Sequence, residues 1–171
     1  MSEKKVGGIN PDADAFVPAS SSTGAKEKLN IKTFINNAPK AELHIHLEGM
    51  ITKDLAKKMN KNIDVVYTQK NPFDIFNKNF GILILNYEDN MKILLEYAFE
   101  DRLKQNIFYT QFQYSAYKVY RESKPQKSVK EQFEIIKGII NKIKTDEKYK
   151  DIYFDFILDI PRSNPEDIND H

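Results

Sequence analysis

Apolar positions along this chain follow two rhythms, one of three to four residues and one of two. From Tyr87 to Gln105, Met91, Leu94, Leu95, Ala98 and Leu103 fall on roughly one helical face with charged residues on the other, which predicts a core-facing amphipathic helix. Ser128-x-x-Glu131 is a capping-box signature, and it predicts a second helix that turns Phe133, Ile136, Ile139, Ile140 and Ile143 inward. Thr52 is placed to cap a short helix through Met59, and Asn71-Pro72 to open another carrying Phe73, Phe76 and Phe80. The two-residue rhythm predicts strands. Ile107 to Tyr114 turns Tyr109, Gln111 and Gln113 to one side. In Ile152 to Leu158, Ile152, Phe154, Phe156 and Leu158 share one face, with Tyr153, Asp155, Ile157 and then Asp159 on the other. A further short buried strand lies within residues 39–49, with Leu43, Ile45 and Leu47 expected to pack together on the side opposite residues 44 and 46. Strands alternating with helices, and no internal repeat, predict parallel α/β architecture.

The first stretch breaks both rhythms. Residues 1–30 carry Gly7-Gly8, Pro11, Pro18, the run Ser20-Ser21-Ser22-Thr23-Gly24 and few large apolar residues. So little apolar surface cannot offset the entropy of ordering, and a disordered polar tail is expected ahead of a folded part over 31–171. No apolar run follows a basic start and none approaches a membrane span, so the expected location is cytoplasmic. Glu3, Asp12 and Asp14 argue against a transit peptide, since such segments are poor in acids.

Charge and cysteine content narrow the chemistry. A formal net charge of +1, with both signs mixed along the chain, gives no reason to expect nucleic acid or a membrane as partner. The chain has no cysteine, so disulfides and thiolate metal sites are excluded and any metal would use nitrogen and oxygen ligands.

Of the three histidines, two stand at His44 and His46. Residues i and i+2 of a strand leave on the same side, so both imidazoles can reach one point beyond the strand's end, a geometry that suits a divalent metal. Taken alone, a His-x-His pair is more often two histidines hydrogen-bonded in a core or half exposed. Its surroundings change that balance. Residues 39–49 read Pro-Lys-Ala-Glu-Leu-His-Ile-His-Leu-Glu-Gly, and this segment resembles the first barrel strand of the adenosine deaminase family, metal-dependent enzymes of the amidohydrolase superfamily. A looser resemblance continues to about Pro165, through Phe76 and Phe80 to Asp159-Ile160-Pro161-Arg162-Ser163.

The resemblance implies a (β/α)₈ barrel, of which this chain would supply the front portion, about three βα units. Length agrees: such barrels run to roughly 250 residues and need about 200, against 171 here including the tail. The family's third metal histidine, its His-Ala-Gly-Glu segment with the general acid/base glutamate, and its late Asp-Asp pair do not occur in the sequence, so no catalytic residue is assigned. By the same resemblance His44 and His46 would be two ligands of one Zn²⁺, and Glu48 a contact to the ribose side of a nucleoside. The alternative for Glu48 is a strand-end carboxylate that orients the loop. Gly49 would allow a tight turn or a close ligand approach. Phe76 and Phe80 would belong to the helix covering the pocket, although Phe73, Phe76 and Phe80 read without the family are more often core. Gln111 and Gln113 stand where the family often has a Glu and an Arg, which keeps that interior neutral. Asp155 and Asp159 are expected to be structural, in a polar network or near solvent at a strand end. His171 matches no family motif.

The implied reaction is hydrolytic deamination of adenosine, or of adenine or a related 6-aminopurine, by a zinc-bound water. The partners would be a small purine nucleoside or base and the remaining half of the barrel, and the chain alone is expected to be inactive. Two other readings stay open. One is a non-catalytic barrel fragment or interaction module, and the other is a different metal hydrolase of the superfamily.

Overall fold

The computed structural model describes residues 30–60 and 72–159. In chain order these form α1 (Ile31–Asn37), β1 (Lys40–His46), a 3₁₀ turn (Leu47–Met50), α2 (Lys53–Met59), α3 (Pro72–Leu85), α4 (Tyr87–Gln105), β2 (Ile107–Tyr114), α5 (Ala116–Glu122), α6 (Val129–Ile143), a second 3₁₀ turn (Glu147–Tyr149) and β3 (Tyr153–Leu158). The expected tail over 1–29, Asn71, the segment from Ile160 through Ser163 to Pro165, and His171 lie outside the described residues.

The helices begin and end where side chains satisfy their free backbone groups. Thr52 accepts a hydrogen bond from the Leu55 amide at the start of α2. At α6 the Ser128 hydroxyl accepts from the Glu131 amide at 3.3 Å while the Glu131 carboxylate accepts from the Ser128 amide at 2.8 Å, so the capping box is complete. The Ser128 hydroxyl, and after it the Ser128 amide, donate to the Glu131 carboxylate and hold it below its ordinary pKa. Helix α4 closes on Asn106, which takes the left-handed conformation at φ 59° and donates its amide back to Arg102 and Leu103, a role asparagine fills more readily than most residues.

The three strands form one parallel sheet in the order β1-β2-β3. The connection from β1 to β2 runs through α2, α3 and α4, and that from β2 to β3 through α5 and α6. Register assigns the faces. Opposite Thr110 and Phe112 of β2 stand Glu42 and Ile45 of β1 and Phe154 and Phe156 of β3. Phe112 and Tyr114 are fully buried there in a core with Leu47, Phe80, Leu94 and Ile136, and Ile45, Phe154 and Phe156 pack against it. A smaller cluster of Phe99, Tyr149 and Ile152 continues this core, Phe99 lying 4.5 Å from Phe154 between ring centres. On the other face Ala41, Asp155 and Ile157 are exposed, and Tyr153 is 57% exposed. Toward the carboxyl ends of the strands the same face is partly covered, since Gln113 is buried and Phe76 of α3 lies against His46. A three-stranded parallel sheet covered on one face is common to the front of a doubly wound fold and the front of a barrel.

Three expectations change. Leu43 does not pack inward and is 61% exposed. From Glu42 to Ile45 the first strand advances three residues while β2 advances two, from Thr110 to Phe112, and such a bulge breaks the alternation of side chains. Leu103 is 39% exposed, because it falls in the last turn of α4 beyond the core. Arg102 departs from the expected charged solvent face: it is buried, with its guanidinium 2.7 Å from Glu42 and 2.6 Å from Asp101, two carboxylates that stay partly exposed at the edge of the core. No described helix is long and apolar enough to cross a membrane.

Candidate functional site

A cavity of about 560 Å³ opens where the three strands end, walled in part by His44, His46, Gly49, Phe76, Ser115 and Asp159. His46 is the last residue of β1, Ser115 follows the last residue of β2, and Asp159 follows the last residue of β3. All three therefore stand at carboxyl ends of parallel strands, where α/β folds place their ligands.

The imidazoles of His44 and His46 are neighbours, with ring centres 5.6 Å apart and the planes edge-on. Phe76 of α3 presents its ring to His46, again at 5.6 Å. Although the His46 side chain is 44% exposed, its Nδ1 atom is buried and forms no hydrogen bond. The nearest carboxylate oxygen, Asp159 Oδ2, is 3.5 Å away, within ion-pair range but outside hydrogen-bond geometry. Asp159 Oδ2 accepts from the Ser115 hydroxyl at 3.3 Å, and the Asp159 amide donates to Tyr114 at 3.1 Å, extending the β2–β3 pairing by one bond.

Glu48 sits differently from its expected place. It is fully buried and is not among the residues lining the cavity. One carboxylate oxygen accepts from the Ser115 amide at 3.1 Å, and the other has no hydrogen-bond partner. Burial dominates its electrostatics and pushes the carboxyl up to about 7, against the downward pull of hydrogen bonds from its own backbone and from Ser115. The turn carrying it is held by Asn79 of α3, whose side-chain amide donates to the Glu48 and Ile51 carbonyls at 3.2 and 3.1 Å.

Gly49 borders the cavity, but no described glycine has a positive φ. A Cβ built on Gly49 would meet only His46 Cβ at 3.6 Å, ordinary van der Waals contact, so the turn itself does not demand glycine there. Phe76 reaches the cavity wall, whereas Phe80 is fully buried in the core with the Lys118 ammonium 4.3 Å above its ring. Lys118 is fixed there by a 2.7 Å bond to Asn77, which ties α5 to α3.

Ser115 was not reached by sequence reasoning, and Asp159 was read only as structural. Both occupy the residue after a strand, which is the signal that could have singled them out. Asp155 joins a network on the open face, where Tyr109 donates to it at 2.6 Å and Gln111 donates to the Tyr109 oxygen at 2.9 Å. That carboxylate holds the Tyr109 hydroxyl above its ordinary pKa.

Two adjacent imidazoles at a strand end are donors of the kind zinc takes. They fit as part of such a site. Among the described residues no group of three or more histidine, aspartate or glutamate side chains is arranged to hold a metal ion.

No protein-family model matches the chain, and no curated protein matches it. Among solved structures it is similar to an adenine deaminase from Arthrobacter aurescens, with 12% identity and a TM-score of 0.49 over 70% of this chain and 38% of that one. The chain therefore spans well under half the length of that protein.

Proposed function

We propose that this chain forms the front of a (β/α)₈ barrel in a zinc-dependent hydrolase that deaminates adenosine, with adenine as the second candidate substrate. The observation that carries the reading is the pairing of His44 and His46 at the carboxyl end of β1, inside a cavity bordered by the residues that follow β2 and β3. The segment 39–49 adds the resemblance on which the purine assignment rests.

In this reading His44 and His46 supply two of the nitrogen ligands, kept neutral so that a ring nitrogen can bind. Zinc held there would bring the pKa of a bound water toward neutrality. Phe76 offers an aromatic wall against which a purine can lie. Gly49 borders the same cavity beside His46. Glu48 holds Ser115 in place from beneath. The third histidine, the general acid/base glutamate and the late aspartates of the deaminase pattern would come from outside residues 1–171, as would the strands that cover the open sheet face.

The test is zinc-dependent conversion of adenosine to inosine by the complete protein carrying this segment, followed through the adenine chromophore. Alanine at His44 or His46 removes a ligand and is expected to abolish both zinc content and turnover. Full zinc occupancy with normal turnover in either variant would contradict the reading.

A further inference from the structure

Beyond the ligands themselves, the structure points to a residue that decides which nitrogen of His46 faces the cavity. A neutral imidazole carries its proton on one nitrogen and a lone pair on the other, and the hydrogen bond made by the first fixes the second as donor to a metal or ligand. His46 is set up for one of the two forms. Its Nδ1 is buried and lies 3.5 Å from Asp159 Oδ2, its nearest carboxylate oxygen, while the side chain as a whole is 44% exposed. The accessible part of the ring is thus its far edge, where Nε2 lies.

We propose that Asp159 is the positioning residue for His46. Its carboxylate takes the Nδ1 proton in a hydrogen bond and leaves the Nε2 lone pair directed into the cavity. In that form the imidazole and the carboxylate draw together from 3.5 Å to hydrogen-bond length. The carboxylate is well braced for this. Ser115 donates its hydroxyl to the same Oδ2 at 3.3 Å, the Ser115 amide is held by Glu48 at 3.1 Å, and the Asp159 amide is held by Tyr114 at 3.1 Å. The series Glu48, Ser115, Asp159, His46 thereby spans the carboxyl ends of all three strands and ties the orientation of one imidazole to the register of the sheet.

The purpose of this arrangement rests on the reading of His46 as a ligand, but the tautomer can be measured without metal or substrate. The experiment is ¹H–¹⁵N NMR of the histidine side chains in the full chain, metal-free, at about pH 8, where an ordinary histidine is neutral. His46 is expected to show a protonated Nδ1 and an unprotonated Nε2, the reverse of the form that free histidine favours. Asp159→Ala should return it to the Nε2–H form, and Asp159→Asn, which keeps an acceptor oxygen at the same reach, should restore the Nδ1–H form. An Nε2–H tautomer of His46 in the unsubstituted chain would overturn the proposal by itself, whether or not the variants fold. So would an Asp159→Ala chain with dispersed amide signals and an unchanged His46. Addition of zinc then separates the two readings: loss or shift of the His46 Nε2 signal supports its role as a ligand, whereas an Nδ1–H tautomer indifferent to zinc would sustain the positioning by Asp159 and count against the metal site.

Discussion

At the scale of single residues, Glu48 has the most measurable behaviour. Its carboxyl titrates near 7 when folded against 4.5 as an ordinary glutamate, because burial disfavours the charge. A raised carboxyl pKa means that the folded state binds the proton more tightly than the unfolded state. Glu48 therefore contributes its full stability below about pH 4.5, and that contribution is lost as the pH rises to about 7. The loss amounts to roughly 3 kcal/mol. Glu48→Gln, which can still accept from the Ser115 amide, is expected to flatten this decline. Denaturant unfolding of the metal-free protein and its variant at about pH 5 and about pH 8 measures it, and parallel pH slopes for the two proteins would contradict it. The sequence marks Glu48 as a residue of interest through its motif, but motif position cannot report that its carboxylate is buried and bonded to the Ser115 amide. That follows from the 3₁₀ turn and from Ser115, 67 positions further along. The histidine pair was legible because its spacing is local. Asp159 was not, since its meaning depends on contacts from two other strand ends.

At the scale of elements, helices with strong local signals were readable almost to the residue. Helix α4 spans Tyr87–Gln105, and β2 spans Ile107–Tyr114, as their apolar spacing predicts. The start of α6 is fixed by its capping box, and Ser128→Ala should destabilise the protein by about 1 kcal/mol, with Ser128→Asp, another good cap, largely preserving stability. Thermal or denaturant unfolding checks this, and equal losses for Ala and Asp would show that the hydroxyl is not acting as a cap. Helices α1 and α5 were not anticipated. Each has 7 residues, too few for a periodic pattern to emerge, and α1 leaves Ile31, Phe34 and Ile35 exposed. The bulge in β1 was equally hidden, because an extra residue is defined only against the register of β2.

At the scale of the whole molecule, alternating strand and helix patterns sufficed for a parallel sheet with α-helical connections, and the polarity of β3 separates Phe154 and Phe156, which pack against the core, from exposed Tyr153, Asp155 and Ile157, although Leu158, expected on the packed face, is 37% exposed at the strand's end. The open face, with Tyr153 and Ile157 beside the Tyr109–Asp155 network, is where the proposed remainder of a barrel would close. Since residues 1–171 lack the third histidine, the His-Ala-Gly-Glu segment and the paired aspartates of the deaminase pattern, this chain alone should leave the adenosine chromophore unchanged even with zinc supplied. Groups that act as a unit lose most of their effect when several are missing. Robust turnover by the purified chain would require a catalytic set built from residues assigned structural roles above. The central claim is that His44 and His46 form one half of a metal site at the carboxyl end of β1, and the most direct measurement is calorimetric titration of zinc into the full chain and into its His44→Ala/His46→Ala double variant. The account predicts weak one-to-one binding that the double substitution eliminates, because two nitrogen ligands hold zinc less firmly than the three or four of a complete site. Zinc binding of equal strength in both proteins, or none in the unsubstituted chain, would contradict it.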